Sequence, residues 1–226
     1  MAAMSPLRMY TGIAVIAALT AFSSWSLFRK FQRPDPYQPG NQPLPVTATI
    51  TGELTGTGLD GKPVQFSQTR GKVSVCSYLF TKCPHGCSMV FTVMRELRDL
   101  YGTRDDFQLA SVAVLPDQDP PEFLKAFAES QGVKSTDPWI FMSGYARETA
   151  WDFMHEQLKL EPTRETPPDQ RLSSCDFCEH DLRIVLIDRQ SRVRGLYPVM
   201  SPDAKTRDFY REKLIRDTGR LLDGAD

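Results

Sequence analysis

The chain is poor in histidine, with three in 226 residues; it has no basic excess, its formal net charge being -1, and it contains no internal repeat. The balanced charge excludes a nucleic-acid protein, because phosphate recognition needs a clustered Lys/Arg surplus. A c-type haem site is excluded as well: Glu179 separates Cys178 from His180, and the attachment motif needs cysteine and histidine adjacent. Long apolar runs are scarce, and the one uncharged stretch, residues 9–28, is diluted by Thr11, Thr20, Ser23, Ser24 and Ser26. What remains, 41% hydrophobic and 24% charged residues, is material for one ordinary domain plus extensions.

Residues 9–28 are flanked by Arg8 on one side and by Arg29, Lys30 and Arg33 on the other. At about 1.5 Å per residue this length crosses a bilayer, so the segment is read as a single transmembrane anchor after a short tail, residues 1–8. A cleaved signal peptide, with small residues such as Ala18 and Thr20 near its end, is the competing reading. The flanking charges taken alone keep the domain cytoplasmic. Five cysteines with two close pairs point instead to an oxidising compartment or a metal site. Residues 29–46 follow as a linker, proline-rich from Pro34 onwards, and the folded domain is expected over 47–226.

Within that domain, short β-type stretches over 47–66 with an Asp60-Gly61 turn predict an N-terminal hairpin. Residues 73–80 predict a buried central strand, 89–100 a helix, 107–115 a strand and 121–130 a helix. A short strand is expected at 139–142, a helix at 147–158 and an exposed proline-containing loop over 161–172. Residues 182–188 and 193–199 predict an antiparallel pair, and 209–222 a closing amphipathic helix. Alternating strands and helices give the α/β class, a largely parallel sheet covered on both faces, with the last pair making it mixed.

Between the first strand and its helix stands Cys83-Pro84-His85-Gly86-Cys87. Two cysteines four apart on a helical first turn share a face, so their sulfurs can hold one metal ion or bond to each other. Exposed amides at a helix start favour thiolate over thiol. A plain structural disulfide is the bland alternative.

The segment Phe80-Thr81-Lys82-Cys83-Pro84-His85-Gly86-Cys87 resembles the Phe-x-x-Cys-Pro-x-x-Cys signature of the Sco/SenC copper chaperones. The likeness continues through residues 111–122 and from Glu179-His180-Asp181 to Leu186-Ile187-Asp188, where that family places a histidine just before a strand. The resemblance implies a thioredoxin-like fold, metal ligands at Cys83, Cys87 and His180, and delivery of copper to the binuclear site of a cytochrome c oxidase subunit. It also implies export, hence a single-pass protein of the inner membrane with its domain in the periplasm or an equivalent space. Two soft thiolates suit Cu(I), and an added imidazole admits Cu(II). Cys83 and Cys87 must be reduced to bind, so a disulfide between them is an off state.

The chain departs from the family in three places. His85 stands where Asp is usual after Pro, and it is expected to face solvent. Leu115 replaces an Asp at the strand end, with carboxylates at Asp117 and Asp119 instead. Cys175-Asp176-Phe177-Cys178, just before His180, has three readings: a local disulfide, a second redox pair or extra copper ligands, and a zinc site shared with Cys83 and Cys87. His155, Cys76, Trp139 and Phe141 are read as ordinary packing residues. The rival function is enzymatic: a thiol-disulfide oxidoreductase acting through Cys83 and Cys87, with Cys175 and Cys178 as a relay and a thioredoxin-like reductant as partner. A partner-binding module that has lost its metal is the third.

Overall fold

Apolar side chains occupy both parities of residues 73–79 and 107–113, and strands of that kind need cover on both faces. In the computed structural model, which describes residues 20, 23–24 and 43–224, they are β4 (Val73–Leu79) and β5 (Phe107–Ala113), and every residue of both is buried. They pair in parallel, and β5 pairs in parallel with β6 (Trp139–Met142). On the other side of β4 lies β9 (Ile184–Ile187), antiparallel to it, then β10 (Arg192–Tyr197) and β1 (Ala48–Thr49), each antiparallel to its neighbour. The six-stranded order is β1-β10-β9-β4-β5-β6, three parallel strands joined to three antiparallel ones.

The alternation along β4 sorts the core. Val73, Val75 and Leu79 face one apolar layer, packed with Val90, Phe91 and Leu97 of α1 (Cys87–Tyr101), Leu124 of α2 (Pro121–Ser130) and Leu214 of α4 (Ala204–Leu222). Cys76 and Tyr78 face the other, with Phe153 and Met154 of α3 (Arg147–Glu156) and with Leu54 and Phe66. Trp139 and Phe141 pack against Phe91 in the first layer, and Cys76 is fully buried in the second, as expected of packing residues. His155 contacts the Leu160 carbonyl through Nδ1 at 2.7 Å and takes no part in a metal-capable group.

Three expectations are corrected. The N-terminal hairpin is narrower than 47–66: β2 (Thr55–Thr57) and β3 (Pro63–Gln65) form it around Gly61 at φ 76°, whereas β1 crosses to β10 of the main sheet. The loop over 161–172 contains β7 (Arg164–Glu165), paired antiparallel with β8 (Cys178–Glu179) in a separate two-stranded ribbon. The closing helix begins at Ala204, five residues before the predicted 209, because the Asp203 carboxylate accepts from the Thr206 N–H at 2.8 Å and caps a polar first turn. The expected anchor at 9–28 lies almost wholly outside the described residues, and among those described no helix is long and apolar enough to cross a membrane.

Candidate metal centre

Strand β4 ends in the sheet centre and delivers Cys83 at its C-terminal edge, where ligands gather in open α/β sheets. The chain then turns before the helix. Gly86 holds φ 143°, so α1 starts at Cys87 and Cys83 stands outside it. The expected geometry, two cysteines one helical turn apart, is therefore corrected: a turn, not a helix face, brings the sulfurs together. The Cβ position of Gly86 is covered by the thioether of Met200, whose Sδ lies 2.9 Å from it.

Opposite stands His180, one residue past the ribbon strand β8. Its Nε2 lies 3.3 Å from Cys87 Sγ and 3.8 Å from Cys83 Sγ. Its Nδ1 lies 3.0 Å from the Asp181 carbonyl, which only accepts, so Nδ1 carries a proton and Nε2 is the ring atom turned to the two sulfurs. Tyr78 packs edge-on against the ring at 5.5 Å. The Asp181 carboxylate is held by Arg183 and by the Glu161 N–H, which fixes the turn carrying the histidine.

The two thiols are electrostatically unequal. Cys83 is lowered to about 3, chiefly because Cys87 donates a hydrogen bond to its sulfur, with burial opposing and His180 assisting. The His85 N–H also points to that sulfur at 3.4 Å. Cys87, the donor, is buried and pushed well above the ordinary thiol value. The pair therefore shares one proton, with thiolate at Cys83 and thiol at Cys87. Cys178 is pushed up to about 12 by burial, with the Cys83 charge adding to the effect.

Among the described residues, Cys83, Cys87 and His180 form the group able to hold a metal ion, their ligand atoms all within 4.8 Å of one another. Two thiolates and one neutral imidazole with an open side accept a soft or borderline cation and leave room for ligand exchange. Among the described residues Cys175 and Cys178 do not join that group, and the five cysteines are unbridged.

Two contacts around the centre are new relative to the sequence reading. His85 does not simply face solvent: its Nε2 meets Asp176 Oδ1 at 2.8 Å, and the Asp176 side chain is 2% exposed. Asp176 also accepts from the Leu172 N–H at 2.9 Å, and the two hydrogen bonds hold its carboxyl below the usual range. Asp119 is fully buried and accepts from the Thr81 N–H at 2.8 Å and from the Thr81 hydroxyl, which pins the start of the cysteine turn. The sequence signal for Asp119 was its place after the β5 turn; for Asp176 there was none beyond its lying between two cysteines.

The SCO1/SenC family model matches residues 43–213. The SCO1 protein homolog of Bacillus subtilis (strain 168) is 29% identical over 119 residues, which is 52% of this chain and 61% of that relative's length. A SCO1/SenC family lipoprotein from Bacillus anthracis str. Ames superposes with a TM-score of 0.65 at 26% identity, covering 80% of this chain and 99% of that one. ScoI of Bradyrhizobium japonicum, a structure with copper bound, gives a TM-score of 0.55 at 20% identity over 72% of this chain and 98% of its own, a likeness of fold. The match spans far more than half the residues and includes the cysteine turn, the central sheet and His180, and on it the chain belongs to the SCO1/SenC family.

Proposed function

We propose that this protein carries copper to the binuclear copper site of a cytochrome c oxidase subunit, binding one ion through Cys83, Cys87 and His180. The observation that carries the reading is the convergence of those three ligand atoms within 4.8 Å, on elements 93 and 97 residues apart in sequence. Both sulfurs bind Cu(I) as thiolates, which Cys83, held below the ordinary thiol range, reaches more readily than buried Cys87, and His180 Nε2, which faces both sulfurs, is the third ligand. Three ligands leave one side open for an incoming thiolate of the recipient, and copper passes by ligand exchange. The copper-bound relative from Bradyrhizobium japonicum supports the choice of metal. In this reading residues 9–28 anchor the domain in the inner membrane, facing the periplasm or an equivalent space, and the lipoprotein relative from Bacillus anthracis is in keeping with a membrane-attached domain.

The test is titration of the reduced full-length protein with Cu(I) against a competing chelator, repeated with His180→Ala. One equivalent bound, with affinity at least about tenfold weaker in the variant, about 1.4 kcal/mol, is expected. Equal affinity in the two proteins sinks the three-ligand centre. A second reading, thiol-disulfide exchange with an oxidase subunit or a thioredoxin-like reductant, is favoured by the unequal thiols, since a thiolate beside a thiol is the arrangement of an attacking and a resolving cysteine.

A further inference from the structure

The segment that carries His180 aims two more side chains the same way. Along residues 176–180 burial alternates: Asp176 and Cys178 are buried and His180 is half-buried, whereas Phe177 is more accessible than its neighbours and Glu179 is exposed. This period-two burial puts 176, 178 and 180 on one side of the segment that runs into and out of β8. Both ends of that row are anchored on the cysteine turn, Asp176 on His85 at 2.8 Å and His180 on Cys87 at 3.3 Å. Cys178 stands between the anchors, so its sulfur faces residues 83–87; it shares a buried apolar cluster with Cys87, and Cys83 packs against that cluster. Three residues back, Cys175 sits half-exposed on a turn closed by the Asp176 N–H to the Ser173 carbonyl and the Phe177 N–H to the Cys175 carbonyl, both at 3.1 Å.

We propose that Cys175 and Cys178 form a second dithiol that exchanges with the Cys83–Cys87 disulfide, passing electron pairs from an external protein dithiol at the surface to the metal thiols inside. Cys87 is 3% exposed, which closes that sulfur to a bulky reductant, whereas Cys175, like Cys83, is half-exposed and stands at the outer end of the second motif. In the reducing direction Cys178 loses its proton as it attacks Cys83; the Cys83–Cys178 bond forms, the Cys83–Cys87 bond breaks, and Cys87 leaves as thiolate and takes up a proton. Cys175 then loses its proton and attacks Cys178, making the Cys175–Cys178 disulfide and releasing Cys83 as thiolate. Two electrons have moved from the second pair to the first. The external dithiol reduces the Cys175–Cys178 bond by attack at Cys175 and becomes a disulfide itself. The relay serves the copper reading, since only reduced Cys83 and Cys87 bind the ion, but every step runs on metal-free protein.

The experiment uses oxidised, metal-free, full-length protein and follows the state of Cys83 and Cys87 by differential alkylation and mass mapping. With a thioredoxin-class protein dithiol as reductant, Cys175→Ser is expected to slow recovery of the Cys83 and Cys87 thiols at least tenfold. With a small phosphine, which needs no relay, wild type and variant recover alike. In a second protein, Cys87→Ser with Cys175→Ser, mild oxidation is expected to trap a Cys83–Cys178 disulfide. Equal rates with the protein dithiol overturn the relay, and so does absence of the Cys83–Cys178 linkage. Because no copper is present, failure here is distinct from failure of the Cu(I) titration.

Discussion

His85 and Asp176, 91 residues apart, join through Nε2 and Oδ1 at 2.8 Å and tie the two cysteine motifs together. The family usually has a carboxylate where this chain has His85, and here the carboxylate comes from the other motif. Removing one partner of such a hydrogen bond leaves a buried charged group short of a partner, at a cost of about 1–3 kcal/mol. His85→Ala is therefore expected to lower the unfolding free energy measured by urea titration by that amount, with Asp176→Ala costing at least as much, because the Leu172 N–H loses its acceptor too, and the double variant no worse than Asp176→Ala alone. Additive losses would show that the pair does not act as a unit.

The same carboxylate gives a pH dependence. Asp176 is held below its ordinary value when folded, chiefly by the Leu172 N–H and then by His85. Its contribution to stability is present above the unfolded carboxylate value, about 4, and is lost as pH falls toward the lower folded value. Thermal melts from pH 6 down to pH 3 are expected to show wild type losing its advantage over Asp176→Asn across that window. Parallel curves would remove this assignment.

A different titration separates the two thiols of the centre. Cys83 is lowered to about 3 mainly by the hydrogen bond from Cys87, so its alkylation rate is expected to stay nearly flat from pH 5 to pH 8, where an ordinary thiol speeds up steadily. Cys87→Ala removes the donor and restores the ordinary rise with pH. A flat profile in that variant would assign the lowered value to His180 or the turn amides instead.

Much of this architecture was legible because periodicity reports burial. Residues 121–130 and 139–142 were read to the residue, since Leu124 and Ala128 recur at helical spacing and the apolar run at 139–142 is short and bounded. Strand β7 carried no such signal: Arg164 and Glu165 are both exposed, and two residues are too few for alternation. Likewise the local pattern places β1 in the hairpin, because its partner, β10, is more than 140 residues away in sequence. Cys83, Cys87 and His180 came from a family resemblance, and the structure adds what spacing does not encode: the proton on Nδ1, the unequal thiols and the pairing of His85 with Asp176. Asp119 was noticed only as a displaced acid, whereas its hydrogen bonds to Thr81 reveal its task.

That task is testable. Asp119→Ala leaves the Thr81 N–H without its acceptor in a buried setting, at a cost of about 1–3 kcal/mol. Asp119→Asn keeps one acceptor and is expected to be milder. If Asp119 positions the cysteine turn, metal affinity falls in Asp119→Ala together with stability and is rescued in Asp119→Asn. Loss of stability with unchanged affinity would confine the residue to a structural role.

Gly86 is held by its backbone and not by its neighbour. Its φ of 143° is one that side-chain-bearing residues rarely adopt, and a Cβ there would sit 2.9 Å from Met200 Sδ. Backbone strain of this kind costs about 1–3 kcal/mol. Gly86→Ala is expected to be destabilised by that amount, and adding Met200→Ala is expected to restore only a minor part, because a flexible thioether yields and the backbone does not. Full recovery in the double variant would make the contact, not the dihedral, the reason for glycine.

The ribbon formed by β7 and β8 carries a further consequence. Two of the three ligands sit at the end of the six-stranded sheet, and the third is brought by a two-stranded ribbon that makes no ladder with that sheet. The centre therefore spans two separate pieces of sheet, and the third ligand keeps its place through side-chain contacts, Asp176 on His85 and Asp181 on the Glu161 N–H and Arg183, and not through a shared ladder.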